Sequence, residues 1–220
     1  MRTQEVIRFR DSGYKTGCEQ VLEKKGINMR NYGKDYKKSG DGYEYVGAWY
    51  ETSLPAAELK QEAKFFGGKL LAASLLLACG LSVNNIGSHT FWVLIPYAGM
   101  ILPVIYGWMG CHAMMRTAKK RQEQKPIVHL DRAEHASHLR RSEYEQAFRR
   151  PLRCGIATAV LAWTSFAADL VIVTAYREQA VWPVEIFFAA DAFLLCILGV
   201  WMAVSAWKVH RSAHCLEKNV

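Results

Sequence analysis

Charge is nearly absent from four long stretches of this 220-residue chain, and recognisable catalytic motifs are absent throughout. There is no GxSxG, no HExxH, no glycine-rich phosphate loop and no paired histidine motif of the membrane-enzyme kind. Gly40-Asp41-Gly42 signals a turn and is no phosphate cradle. These absences exclude the reaction classes that such motifs serve, and no catalytic residue, metal or cofactor is expected. No CxxC pair occurs among the six cysteines Cys18, Cys79, Cys111, Cys154, Cys196 and Cys215, which argues against a dithiol centre. A secretory signal is not expected either, because the first 50 residues are polar and charged.

The four charge-poor stretches are Phe66–Ile86, Phe91–Met114, Cys154–Tyr176 and Pro183–Trp207. Each matches the roughly 20 apolar residues that a helix needs to cross a bilayer. Lys69 interrupts the first near its start, where a long side chain can snorkel to the interface. The expected fold is therefore an all-α membrane protein with four transmembrane helices in two hairpins. A small cytoplasmic α+β region precedes them.

The basic residues set the expected orientation. Of the 28 Lys and Arg, 12 precede the first span, 11 lie between His112 and Arg153, and 3 follow Trp207. The turn 87–90 has none, and the turn 177–182 has only Arg177. The positive-inside bias then places both termini and the long middle loop in the cytoplasm. All six cysteines avoid the outer turns and are expected as reduced packing residues. The same topology accounts for the net charge of +8, so no nucleic-acid partner is implied.

Along the chain, residues 1–52 read as a cytoplasmic unit that could be βαββ. Glu5–Arg10 alternates like a strand, and Thr16-Gly17-Cys18-Glu19 has the capping-box pattern of a helix that Gly26 would end. Asn31–Lys38, the turn Ser39-Gly40-Asp41-Gly42 and a strand over Tyr43–Glu51, where Tyr43, Tyr45 and Trp49 keep a period of two, read as a hairpin. A basic, aromatic tail without fixed structure is the alternative. Residues 53–65 are expected as an interfacial amphipathic helix that bends into the first span at Gly67-Gly68. Hairpin 1 then occupies 66–116, a basic loop or helix 117–150, hairpin 2 151–208, and a cytoplasmic tail 209–220.

Pro96 and Pro103 should bend the second span. Gly99, Pro103, Gly107 and Cys111 recur every four residues as a small-residue face. In the middle loop, Asp131–Arg150 patterns as an amphipathic helix with Ala136, Leu139, Ala147 and Phe148 on one side. Its Arg140, Arg141, Arg149 and Arg150 suit the anionic inner leaflet. An offset of 84 residues matches Lys69 with Arg153 and Asn85 with Asp169, which would suit a duplicated hairpin.

At Gly47–Glu51 (GAWYE) and His89–Pro103 (HTFWVLIPYAGMILP) the chain resembles a group of small four-span bacterial membrane proteins with no assigned activity. The resemblance covers most of the chain. It implies topology only, and carries no functional residue across.

Two aspartates inside the last two runs, each in an Ala-Ala-Asp triplet, are the candidate site: Asp169 and Asp191. An acid at the centre of a spanning helix costs about 3 kcal/mol on insertion scales, so each needs a reason. Both lie on the order of 10–13 Å below the outer surface at 1.5 Å per residue, and antiparallel neighbours could bring them to one level. Two carboxyls there do not both ionise cheaply, and a shared proton is the expected compromise. Ser165 shares a helical face with Asp169, and Tyr97 lies at comparable depth. Glu185 is expected at the outer edge, satisfied by Arg177 or water.

Other polar groups offer weaker sites. His129, Asp131, Glu134, His135 and His138 have metal-capable spacing, but zinc needs three or four convergent ligands and a solvated helix has the same composition. Cys111 and His112 could meet His210, His214 and Cys215 as a soft metal site. For neither group is a metal expected. Two functions remain. The first is a non-catalytic accessory or regulatory component that binds another membrane protein. The second is a small oligomeric transporter or channel, coupled to protons or cations through Asp169 and Asp191.

Overall fold

The computed structural model describes residues 35–39, 42–45, 48–123 and 139–216. The expected strand at Glu5–Arg10, the helix opening at Thr16 and the histidine run 129–138 lie outside them. The chain divides into two compact units. One is built around small sheets, and the other, Ser53–Glu123 with Glu145–Ala213, is helical.

In the first unit, β1 (Tyr36–Ser39) and β2 (Gly42–Tyr45) form an antiparallel hairpin. The expected single strand Tyr43–Glu51 is divided: β3 (Trp49–Thr52) leaves the hairpin and joins a different sheet. There β3 lies between β4 (Leu139–Arg140) and β5 (Ala213–Leu216), with Trp49 opposite Arg140 and Tyr50 opposite Leu139. Tyr50 stacks on Tyr144 with ring centroids 4.0 Å apart, and Arg141 approaches the buried Asp35 at 3.7 Å. Leu139 and Arg140 are therefore a strand rather than part of an amphipathic helix starting at Asp131. Helical structure begins at Arg141 and continues, through a π-type stretch at Glu145–Arg149, into the third long helix.

Among the described residues, four helices are long and apolar enough to cross a membrane. The first, α1, runs unbroken over Ala56–Leu81. Pro55 precedes it and Glu58 lies in its first turn, where a negative charge complements the helix dipole. Leu59, Ala63, Phe66, Leu70, Ala73, Leu77 and Gly80 recur every three or four residues and form its buried stripe. Gly67 and Gly68 thus lie inside a continuous helix, and residues 53–65 do not form a separate interfacial one. The stripe passes through them without a change of phase. Lys69 bonds to Ser205 and lies over the Trp201 ring at 4.5 Å rather than reaching away from the bundle.

The second long helix is divided into α2 (Phe91–Gly99) and α3 (Ile101–Glu123). The break at Met100 falls between Pro96 and Pro103, neither of which can donate to the preceding turn. The Met100 N–H instead reaches back three residues to the Tyr97 carbonyl at 3.2 Å. The last two helices, α4 (Arg150–Ala175) and α5 (Trp182–Arg211), each begin with Pro in the first turn.

Close packing of α4 on α5 depends on a reciprocal pair of small residues. A Cβ added at Gly155 would overlap the backbone of Ala203, and one at Gly199 would come 2.6 Å from the Ala159 nitrogen. Gly155–Ala159 and Gly199–Ala203 are both Gly-x-x-x-Ala, running antiparallel so that each glycine meets the other helix's alanine. On the expected small-residue face, Gly107 meets Cys154 and Leu70, and the Cys111 thiol donates to the Ala63 carbonyl at 3.2 Å. Gly99 is looser, with Leu161 4.0 Å away.

Candidate functional site

Helix α1 stops at Leu81, five residues before the expected end of the first span, and the chain reaches α2 through residues 82–90. This loop turns inward. Asn85 is buried, and Gly87–His89 makes a single 3₁₀ turn that leads to α2. The buried loop has backbone N–H groups outside any helical ladder that need partners. Glu185 of α5 takes that of Ile86.

Glu185, in the first turn of α5, accepts from the Ile86 backbone N–H at 2.9 Å and from Asn85 Nδ2 at 3.3 Å. Asn85 Nδ2 also donates to Asp169 Oδ1 at 3.1 Å, so one amide bridges two carboxyl groups on two helices. Asp169 is 0% exposed, and its second oxygen, Oδ2, has no hydrogen-bond partner among the described residues. Glu185 departs from its expectation: it is 2% exposed, and Arg177 lies over Trp182 instead. Periodicity gave no sign of this, because the residue that draws Glu185 inward is a loop amide 100 positions earlier.

Asp191 has a different partner. Six residues beyond Glu185 on α5, roughly 9 Å along the helix, it accepts a short hydrogen bond from the Tyr97 hydroxyl. Tyr97 packs its ring on Phe188, with centroids 4.9 Å apart. A cleft of about 20 Å3, room for about one water, opens beside Tyr97 between Gly80 and Phe188. The expected Asp169–Asp191 pair is therefore two separate centres. The two carboxyls share no hydrogen bond, and Asp169 is joined to Asn85 and Glu185 instead. Ser165 does not reach Asp169 either; its hydroxyl donates to the Val93 carbonyl of α2 at 3.2 Å.

Two glycines of the first half leave room for these contacts. A Cβ at Gly80 would overlap the Tyr97 hydroxyl and lie 2.6 Å from Asp191 Oδ2. A Cβ at Gly87 would overlap Asp169 Oδ1 and come 3.0 Å from Asn85 Nδ2. The offset of 84 that matched Asn85 with Asp169 as equivalents of a repeat joins them here as partners. One lies in a loop and the other within a helix, so the equivalence fails at this pair.

Chemically, the arrangement joins the two halves of the helical unit. All three buried acids belong to α4 and α5, while Asn85, Ile86 and Tyr97, which donate to them, precede α3. Among the described residues, no group of three or more His, Cys, Asp or Glu could hold a metal ion. Cys111 and His112 lie on α3, and the side chains of His214 and Cys215 lie outside the described set. Compared with protein families, curated proteins and solved structures, the chain matches none, so the reading of this site rests on its own geometry.

Proposed function

We propose that the chain is a multi-pass protein of the cell membrane that crosses it four times, with both termini and the segment between α3 and α4 in the cytoplasm. In that setting it works without catalysis, as an accessory or regulatory component that binds another membrane protein. The inverted polarity of the helical unit carries the membrane reading. Trp92 is 80% exposed, Phe91 74% and Leu102 73%, whereas Asp169, Asp191 and Glu185 are buried. In water such an apolar surface would drive association, while in lipid it is the favourable face. The orientation is supported by the Lys and Arg that crowd one end of the helices and are nearly missing from the 82–90 and 176–181 connections.

The accessory reading is supported by how the acids are used. Each is closed onto a neutral donor from the other half, an arrangement that fastens helices together and leaves the outer faces for a partner. Photo-crosslinkers placed at Trp92 and Ile95, both exposed, of the full chain in its native membrane should trap one predominant membrane protein. Recovery of lipid adducts alone would overturn this reading.

One observation favours a second reading, an oligomeric proton- or cation-coupled transporter. Asp169 Oδ2 is buried without a partner among the described residues, and the water-sized cleft adjoins Tyr97 and its contact with Asp191. Proteoliposome flux decides between the two. Proton or cation flux that Asp169→Asn with Asp191→Asn abolishes, with folding intact, would establish transport. Flux no greater than that of empty liposomes would sink it.

A further inference from the structure

Between α3 and α4, on the side of the helical unit away from the buried acids, lies an open groove of about 480 Å3. Leu102, Ile105 and Met109 line it along α3, and Ala157 forms part of its floor from α4. From Leu102 to Met109 it extends on the order of 10 Å at 1.5 Å per residue. Its two polar lining residues are Tyr106 and Arg153. Arg153 is exposed and makes no hydrogen bond or ion pair among the described residues. One turn before it on α4, the Arg150 guanidinium lies over the Tyr106 ring at 5.2 Å. Two permanently charged guanidinium groups thus flank one end of an apolar trough, with an aromatic ring fixing one of them. Arg149 next to them differs, since it pairs with Glu145 at 3.6 Å.

We propose that this groove binds one anionic phospholipid, with an acyl chain along Leu102, Ile105 and Met109 and the phosphate held by Arg153 and Arg150. The inference rests on the membrane reading above. A guanidinium fork matches phosphate geometry, and burying an acyl chain satisfies the trough without any polar cost. The charge at one end and the apolar length beyond it are complementary to a lipid with a net negative headgroup. They give a second protein's helix no reason to carry an anion at that point.

Native mass spectrometry of the purified full chain with equal amounts of phosphatidylglycerol and phosphatidylcholine tests the site. Wild type should retain phosphatidylglycerol preferentially. Arg153→Gln should lower that retention at least about tenfold, the scale of one charge-assisted hydrogen bond. Ala157→Phe, which fills the groove and keeps both arginines, should displace the lipid as well. Arg149→Gln should leave retention unchanged. Equal retention of the two lipids, an undiminished signal in Ala157→Phe, or an equal loss in Arg149→Gln would each overturn the proposal. Alkaline carbonate extraction of the same membranes separates the two levels. Release of the wild type would overturn the membrane reading itself, whereas a carbonate-resistant protein without lipid preference overturns only the groove.

Discussion

A methyl group added at Gly80 would push the Tyr97 hydroxyl away from Asp191, and one at Gly87 would meet Asp169 and Asn85. Gly68, on the same helix as Gly80, has nothing within 4 Å of where its Cβ would stand. The three positions therefore separate helix propensity from polar contact. Gly68→Ala should be neutral or stabilising by up to about 1 kcal/mol, the ordinary gain of Ala over Gly in a helix. Gly80→Ala should destabilise by about 1–3 kcal/mol despite the same gain, because a buried carboxyl loses its partner. Thermal unfolding midpoints in detergent check both signs. Asn85→Leu should cost more than Tyr97→Phe in the same assay, since one amide serves two carboxyls and one hydroxyl serves one. Equal losses would show that the Asn85 bridge is not shared in solution.

At the scale of elements, the antiparallel Gly-x-x-x-Ala seam holds α4 against α5 at backbone distance. Gly155→Leu or Gly199→Leu should each destabilise by about 1–3 kcal/mol through overpacking. The double substitution should lose less than the sum, because both disrupt the same close approach. Unfolding of the four variants as a double-mutant cycle measures that coupling. The four long helices were legible in the sequence because runs of about 20 apolar residues have few other uses. The break near Pro96 and Pro103 was legible too, since a missing N–H is a local property. What stayed hidden depended on distant partners. Residues 53–65 carry the same apolar phase as the helix they join, so their continuity with it needed the facing surface to become visible. Asn85 turns inward to meet Glu185 and Asp169, and Trp49 and Tyr50 pair with residues about 90 positions later. Asp169 and Asp191 were visible as acids in apolar runs, but pairing them with each other followed from depth alone. Depth does not fix the azimuth of a side chain around its helix.

In the helical unit, large apolar side chains cover much of the outer surface while Asp169, Asp191 and Glu185 are buried, the reverse of a protein that folds in water. The surface and the centre therefore require different environments. Transfer of the purified chain from detergent to aqueous buffer should precipitate it, while reconstitution into bilayers should keep it dispersed, as light scattering would report. A cysteine introduced at Gln179 should react with an impermeant maleimide from outside intact cells, and one at Lys120 only after permeabilisation.

The division of labour across the polar seam also bears on how the protein is made. The three buried acids of the helical unit, Asp169, Glu185 and Asp191, reside in the half that is synthesised last, and the groups that donate to them reside in the half synthesised first. A second half that emerges without the first would carry three carboxyls with nothing to answer them. Unpaired polar groups in apolar surroundings are costly, so a half that carries them should be loosely packed and open to proteolysis. The late half should therefore resist degradation only after the early half has docked. Expressed separately, 124–220 should be short-lived, and co-expression of 1–123 should extend its lifetime.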